Sequence, residues 1–106
     1  MALEFKDDNF EQEVEKFAGV ALIDFWATWC GPCQVMGPII DEVAKEIGDK
    51  AQVGKVNVDE SPKTSEKFGI MSIPTLVLFK AGKEVSRFSG VQSKETLVEE
   101  INKILN

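Results

Sequence analysis

The chain has 106 residues, enough for one domain and too few for two, so a single domain over residues 1–106 is expected. Eighteen acidic against twelve basic side chains leave a net charge of −6, which favours solubility and argues against nucleic acid or an anionic membrane as partner. Two cysteines and no histidine exclude a disulfide-stapled secreted scaffold, Cys–His nucleophilic catalysis and a four-ligand zinc site within one chain. A cluster shared by two chains would have four thiolates, but a catalytic pair needs no such assembly. The glycines form neither GxGxxG nor a P-loop, so no nucleotide cofactor is expected. No apolar run is long enough to span a bilayer. Residues 1–6 (MALEFK) lack the basic start and apolar stretch of a secretory signal, and a cytoplasmic protein is expected.

In chain order, Leu3 to Phe5 reads as a short first strand. Asp7 and Asp8 are placed to cap a helix, with Glu11 three residues after Asp8 in a capping-box position. Phe10, Val14 and Phe17 follow at helical spacing, and Gly19 stops that helix. Val20 to Trp26 (VALIDFW) is almost continuously apolar, the pattern of a central strand covered on both faces. Gly31-Pro32 opens the next helix, since a first turn tolerates proline. Val35, Met36, Ile39, Ile40, Val43, Ala44 and Ile47 are read as its buried face, Pro38 as a kink within it and Gly48 as its end.

Gln52 to Val58 reads as a further strand. Ser61-Pro62 is read as the cap and first turn of a short helix ending near Phe68-Gly69. Thr75 to Lys80 (TLVLFK) is a strand, Ala81-Gly82 a tight turn, and Lys83 to Phe88 its hairpin partner. Ser93 caps a last helix whose buried stripe is Leu97, Val98, Ile101, Ile104 and Leu105. The order β-α-β-α-β-α-β-β-α predicts an α/β protein: a mixed five-stranded sheet flanked by four helices, with the closing hairpin antiparallel.

The two cysteines stand in Trp29-Cys30-Gly31-Pro32-Cys33, at the start of a helix that follows a buried strand. A CxxC so placed points to thiol–disulfide chemistry. The first turn of a helix has N–H groups without internal partners and carries the positive end of the dipole. Both stabilise a thiolate at Cys30, which is therefore the expected nucleophile. Cys33 lies one turn further on, shielded by the helix but within reach, and is the expected resolving thiol. Gly31-Pro32 restricts the reduced loop, so less chain entropy is lost on closing the disulfide. Trp29 offers a large apolar face beside the sulfur for docking extended protein substrates. Asp24 is a carboxylate in the middle of an apolar strand, where burial should raise its pKa.

The segment Asp24 to Cys33 (DFWATWCGPC) resembles the active site of the thioredoxin family, and Pro38, Lys55, Ile73-Pro74-Thr75, Gly82 and Gly90 extend the likeness over essentially the whole chain. The resemblance implies the thioredoxin fold and reduction of protein disulfides. Cys30 would attack a substrate disulfide, and Cys33 would resolve the mixed disulfide. A thioredoxin reductase, usually the NADPH-linked flavoenzyme, would recharge the pair. It implies that Pro74 is cis and faces the cysteines, and that the Ile73 backbone pairs with the substrate chain. Gly90 would leave room for that chain and Val91 extend the apolar rim. Asp24 would exchange a proton with Cys33 through water, with Lys55 as its nearby cation. Trp26 reads as core, and Lys55 on its own as a snorkelling strand lysine. No bound cofactor or metal is implied beyond the redox-active cysteines, and a monomer is the default. The motif departs from the best-known members at Gln34, where they carry lysine. Two other readings stay open: an oxidant or isomerase of the same fold, and a redox-dependent binding module.

Overall fold

In the computed structural model, which describes residues 2–105, strands form at Leu3–Phe5 (β1), Val20–Trp26 (β2), Gln52–Asn57 (β3), Thr75–Lys80 (β4) and Lys83–Ser89 (β5). Helices follow at Gly31–Ile47 (α1), Pro62–Lys67 (α2) and Lys94–Leu105 (α3), with a π-helical segment at Glu11–Glu15 and a 3-10 turn at Gly48–Lys50. Met1 and Asn106, the ends of the expected domain, lie outside the described residues. The sheet order is β1-β3-β2-β4-β5. The β1–β3 and β2–β3 pairs are parallel, and the β2–β4 and β4–β5 pairs antiparallel. This is the expected mixed five-stranded sheet of the thioredoxin fold, and it brings the ends of β2 and β3 beside the start of β4.

β2 and β4 are central, and both faces of each are covered. Val20, Leu22, Leu76 and Leu78 pack with Met36, Ile40, Val43 and Ile47 of α1 and Leu97 and Ile101 of α3. Ala21, Ile23, Phe25, Val77 and Phe79 point the other way, into a cluster with Phe5, Phe10 and Val14. Phe10 meets Phe79 nearly edge-on at 6.0 Å between ring centres, and Phe68 meets Phe79 at 5.3 Å. Such pairs contribute about 0.5–1.5 kcal/mol beyond the area they bury. β5 is the outer strand and mostly exposed; Lys83, Glu84 and Arg87 charge this edge and oppose further strand pairing.

Three local expectations are corrected. The capping box before the first helix does not form: Phe10 occupies the cap position of the π-helical segment without a side-chain hydrogen bond. Asp7 instead caps α2. Its carboxylate accepts from Lys63 N (3.2 Å), Thr64 N (2.8 Å) and Thr64 Oγ1 (2.7 Å). The expected cap of α2, Ser61, makes no capping bond, and its hydroxyl is buried without a partner among the described residues. The chain leaving β1 passes the α2 N-terminus, so the free N–H groups there meet a full carboxylate, a stronger acceptor than a hydroxyl. Val35 is 56% exposed and does not belong to the buried face of α1. The buried residues Cys33, Met36, Ile40, Val43 and Ile47 follow steps of three and four, and Val35 falls outside that stripe. α1 continues through Pro38.

Gly82 is more than a turn residue. Its φ of 79° is left-handed, and a Cβ there would collide with the backbone carbonyl of Glu15. The neighbouring Ala81 N–H donates to Gly19 O at 3.0 Å. The β4–β5 turn is thus seated against the end of the π-helical segment.

Candidate functional site

Cys30 is the N-cap of α1, extended at φ −93° and ψ 115°, and forms a disulfide with Cys33. Its Sγ accepts from the Cys33 backbone N–H at 3.2 Å, so a free first-turn donor points at the sulfur as the sequence predicted. Both cysteines are buried, Cys30 at 6% and Cys33 at 2% exposure, so Cys30 is the more accessible residue of the pair. Gln34 reaches back from the helix. Its amide nitrogen lies 3.3 Å from Thr28 O and 3.5 Å from Cys30 O, so a neutral group tethers the entry to the motif.

The Ile73–Pro74 peptide is cis. The loop containing it stands opposite the cysteines, with Ile73 O 3.7 Å from Cys30 Sγ. Pro74 is buried, and Ile73 packs against the cluster of Ala27, Cys30 and Cys33. Thr75 Oγ1 donates to Ser72 O at 2.6 Å and holds the loop from below. Gly90 N donates to Pro74 O at 2.9 Å, which brings the segment after β5 to the same place. Gly90 has φ 83° and open space where a Cβ would stand. The next turn is anchored at Gln92, whose N–H donates to the buried Met36 sulfur at 3.5 Å.

Around this centre lies an apolar rim. Trp29 is 70% exposed, with its indole N–H bonded to Asp59 Oδ2 at 2.7 Å, so the ring is oriented while its face stays open. Met71 and Val91 are exposed as well. Trp26 is half-buried against the cysteine cluster, core on one side and cleft wall on the other.

Behind Cys33 is a cleft of 290 Å³ lined by Asp24, Trp26, Cys33, Gln34, Gly37, Pro38, Asp41 and Lys55. Asp24 is 1% exposed, and neither carboxylate oxygen has a hydrogen-bond partner among the described residues. Burial pushes its pKa up to about 7, with the charge of Lys55 acting in the opposite direction. Lys55 is the register partner of Asp24 on β3, but its ammonium forms an ion pair with Asp41 of α1, 3.7 Å from Oδ1. The expected cation is therefore present but drawn to a second carboxylate.

The sequence-predicted residues Asp24, Trp26, Cys33 and Lys55 meet around the cleft, while Trp29, Cys30, Ile73, Pro74, Gly90 and Val91 meet on the outer side. Gly31 and Pro32 form the exposed first turn between them. Two contributors were missed. Asp41 had a signal, since Cys33, Gly37 and Asp41 follow at four-residue steps on one helix face. Asp59 had none, because its contact with Trp29 spans thirty residues. Among the described residues no group of three or more His, Cys, Asp or Glu is placed to hold a metal. No helix among them is long and apolar enough to cross a membrane.

The Thioredoxin family model matches residues 1–103. A curated thioredoxin of Alicyclobacillus acidocaldarius is 50% identical over 99 residues, covering 93% of each chain. Thioredoxins of Staphylococcus haemolyticus and Rickettsia prowazekii are each 48% identical, over 93% and 92% of both chains. The redox-paired cysteines favour turnover over a purely binding role. With the sheet, the cysteine pair on the helix N-terminus and these relatives in agreement, the chain belongs to the thioredoxin family and is a thiol–disulfide oxidoreductase.

Proposed function

We propose that the protein, a single domain over residues 1–106, reduces protein disulfides in the cytoplasm as a monomer and is recharged by a thioredoxin reductase. The observation that carries this reading is the Cys30–Cys33 disulfide at the N-terminus of α1, facing the Ile73–Pro74 loop. In the reduced protein the Cys30 thiolate attacks one sulfur of a substrate disulfide. The substrate S–S bond breaks, a mixed disulfide forms on Cys30, and the first substrate thiolate leaves. Asp24 then takes the proton of Cys33 through water in the cleft. The Cys33 thiolate attacks Cys30 Sγ, the mixed disulfide breaks, and the second substrate thiolate leaves. The substrate gains two electrons and the Cys30–Cys33 disulfide is restored. No resident cofactor or metal enters the cycle.

Docking follows from the outer side of the site. An extended substrate segment lies along the Ile73 backbone beside Pro74, with Gly90 leaving room for it. Trp29 and Val91 cover its apolar side chains, and the rigid Gly31-Pro32 turn separates the two sulfurs. Lys55 and Trp26 act from behind, one as a charge and the other as a wall.

Cys33→Ser should accumulate a mixed disulfide with a protein substrate, visible as a covalent adduct that dithiothreitol releases. Asp24→Asn should slow resolution near neutral pH while leaving the first attack at its original rate. An adduct that forms equally on a Cys30→Ser variant would reverse the assignment of the two sulfurs.

A further inference from the structure

The cleft behind Cys33 contains a charge that the proposed cycle has not used. Asp41 sits two helical turns beyond Cys33 on the same face of α1, with Gly37 between them. Gly37 has no side chain, and the Lys55 ammonium lies 3.6 Å from where its Cβ would stand. Lys55 thus leaves β3, crosses α1 at its barest point and ends 3.7 Å from Asp41 Oδ1. The same oxygen accepts the Ala2 backbone N–H at 3.2 Å, which fixes the carboxylate from the β1 side. Asp24, beside Lys55 in register, is left with two buried oxygens and no hydrogen-bond partner among the described residues.

We propose that Asp41 is a positioning residue for the Cys33 step: by holding the Lys55 ammonium over Gly37, it keeps that charge from pairing with Asp24 and so preserves Asp24 as a proton acceptor. This rests on the role given to Asp24 above. A buried carboxylate closely paired with a lysine is a weak base, and a carboxylate with no cation at all would stay protonated to higher pH. An intermediate setting requires the lysine to be near but engaged elsewhere, and Asp41 supplies that second engagement.

The charged and titratable surroundings are few. β3 contributes Lys55, and α1 contributes Cys33 and Asp41. β1 places Glu4 in register with Lys55 on the far side from Asp24. β4 presents Leu76 to Asp24, and α3 meets this face through Leu97 and Ile101, none of which titrates.

The test uses the full chain. The Asp24 side-chain carbon is followed by NMR against pH in the oxidised protein, where the cysteines do not titrate. Resolution of a preformed mixed disulfide is followed separately by stopped flow. Asp41→Asn should lower the Asp24 midpoint by about one pH unit, as Lys55 becomes free to pair with it, and move the pH profile of resolution the same way. Asp41→Glu should restore both. In a Lys55→Met background, Asp41→Asn should no longer shift the midpoint. An equal shift with and without Lys55 would overturn the proposal and make Asp41 only a through-space charge. No shift in either background would overturn it as well. A shifted Asp24 midpoint with an unchanged resolution profile would keep the Asp41–Lys55 coupling and refute the catalytic role of Asp24.

Discussion

Replacing Asp24 by asparagine should stabilise the protein, and by an amount that depends on pH. In the folded chain burial pushes the Asp24 pKa from 3.8 up to about 7. Between those values the native state binds a proton that the unfolded state has released. Stability must then fall as pH rises through this interval. The carboxyl titrates roughly three pH units above its ordinary value, and each unit corresponds to about 1.4 kcal/mol, so the total loss is about 4 kcal/mol by pH ~8. Asparagine is neutral throughout and nearly the same shape. Its advantage should be close to zero at pH ~4, grow through pH ~6 and level off near 4 kcal/mol at pH ~8, a large share of a typical domain's 5–15 kcal/mol. Urea unfolding of both oxidised proteins, read by tryptophan fluorescence, measures the difference. With slopes of about 1–3 kcal/mol per molar urea, the midpoints should separate by on the order of 2 M at the alkaline end. All other carboxylates are common to both chains, so their titration cancels in the comparison. A difference that is flat with pH, or an asparagine variant that is weaker at pH ~8, would refute the burial account.

Asp7→Ala should cost about 1–2 kcal/mol at neutral pH through loss of the α2 cap, read by urea unfolding. Burial alone would raise the Asp7 pKa, but the hydrogen bonds from Thr64 and Lys63, with the Lys63 charge, hold it below 3.8; this contribution is therefore present above the ordinary carboxylate range and lost as pH falls through the folded pKa. Gly82→Ala should destabilise by more than about 2 kcal/mol, since a left-handed φ is compounded by collision with the Glu15 backbone. Gly90→Ala has only the dihedral cost, about 1–2 kcal/mol, but should raise KM for protein substrates by crowding the space beside Pro74; steady-state kinetics with a protein and a small disulfide separate the two effects. Met36→Leu conserves volume but removes the acceptor for Gln92 N–H, so hydrogen exchange at that amide should accelerate while exchange in β2 stays unchanged.

What could be read from the residues was the chemistry and structure that depend on near neighbours in the chain. Cys30 and Cys33 are three residues apart, and the helix start that activates them is written in the same pentapeptide. VALIDFW and TLVLFK lie on strands covered from both sides because their apolar residues do not alternate. Ser93 caps α3 through Thr96 N as expected, a contact of three residues. The tertiary structure decided what depends on distant segments meeting. Asp7 and Asp8 have the same side chain, and only the path of the chain after β1 takes Asp7 to α2, 57 residues away at Thr64. Ile73 comes within reach of Cys30 across 43 residues because β4 runs antiparallel beside β2. Lys55 is beside Asp24 by strand register, yet its ammonium lies over the bare Gly37 of α1, 3.7 Å from Asp41. Local sequence sets dihedral preference, apolar pattern and the kind of charge each residue carries. Which partner a charge meets, and so how it titrates, is set by packing.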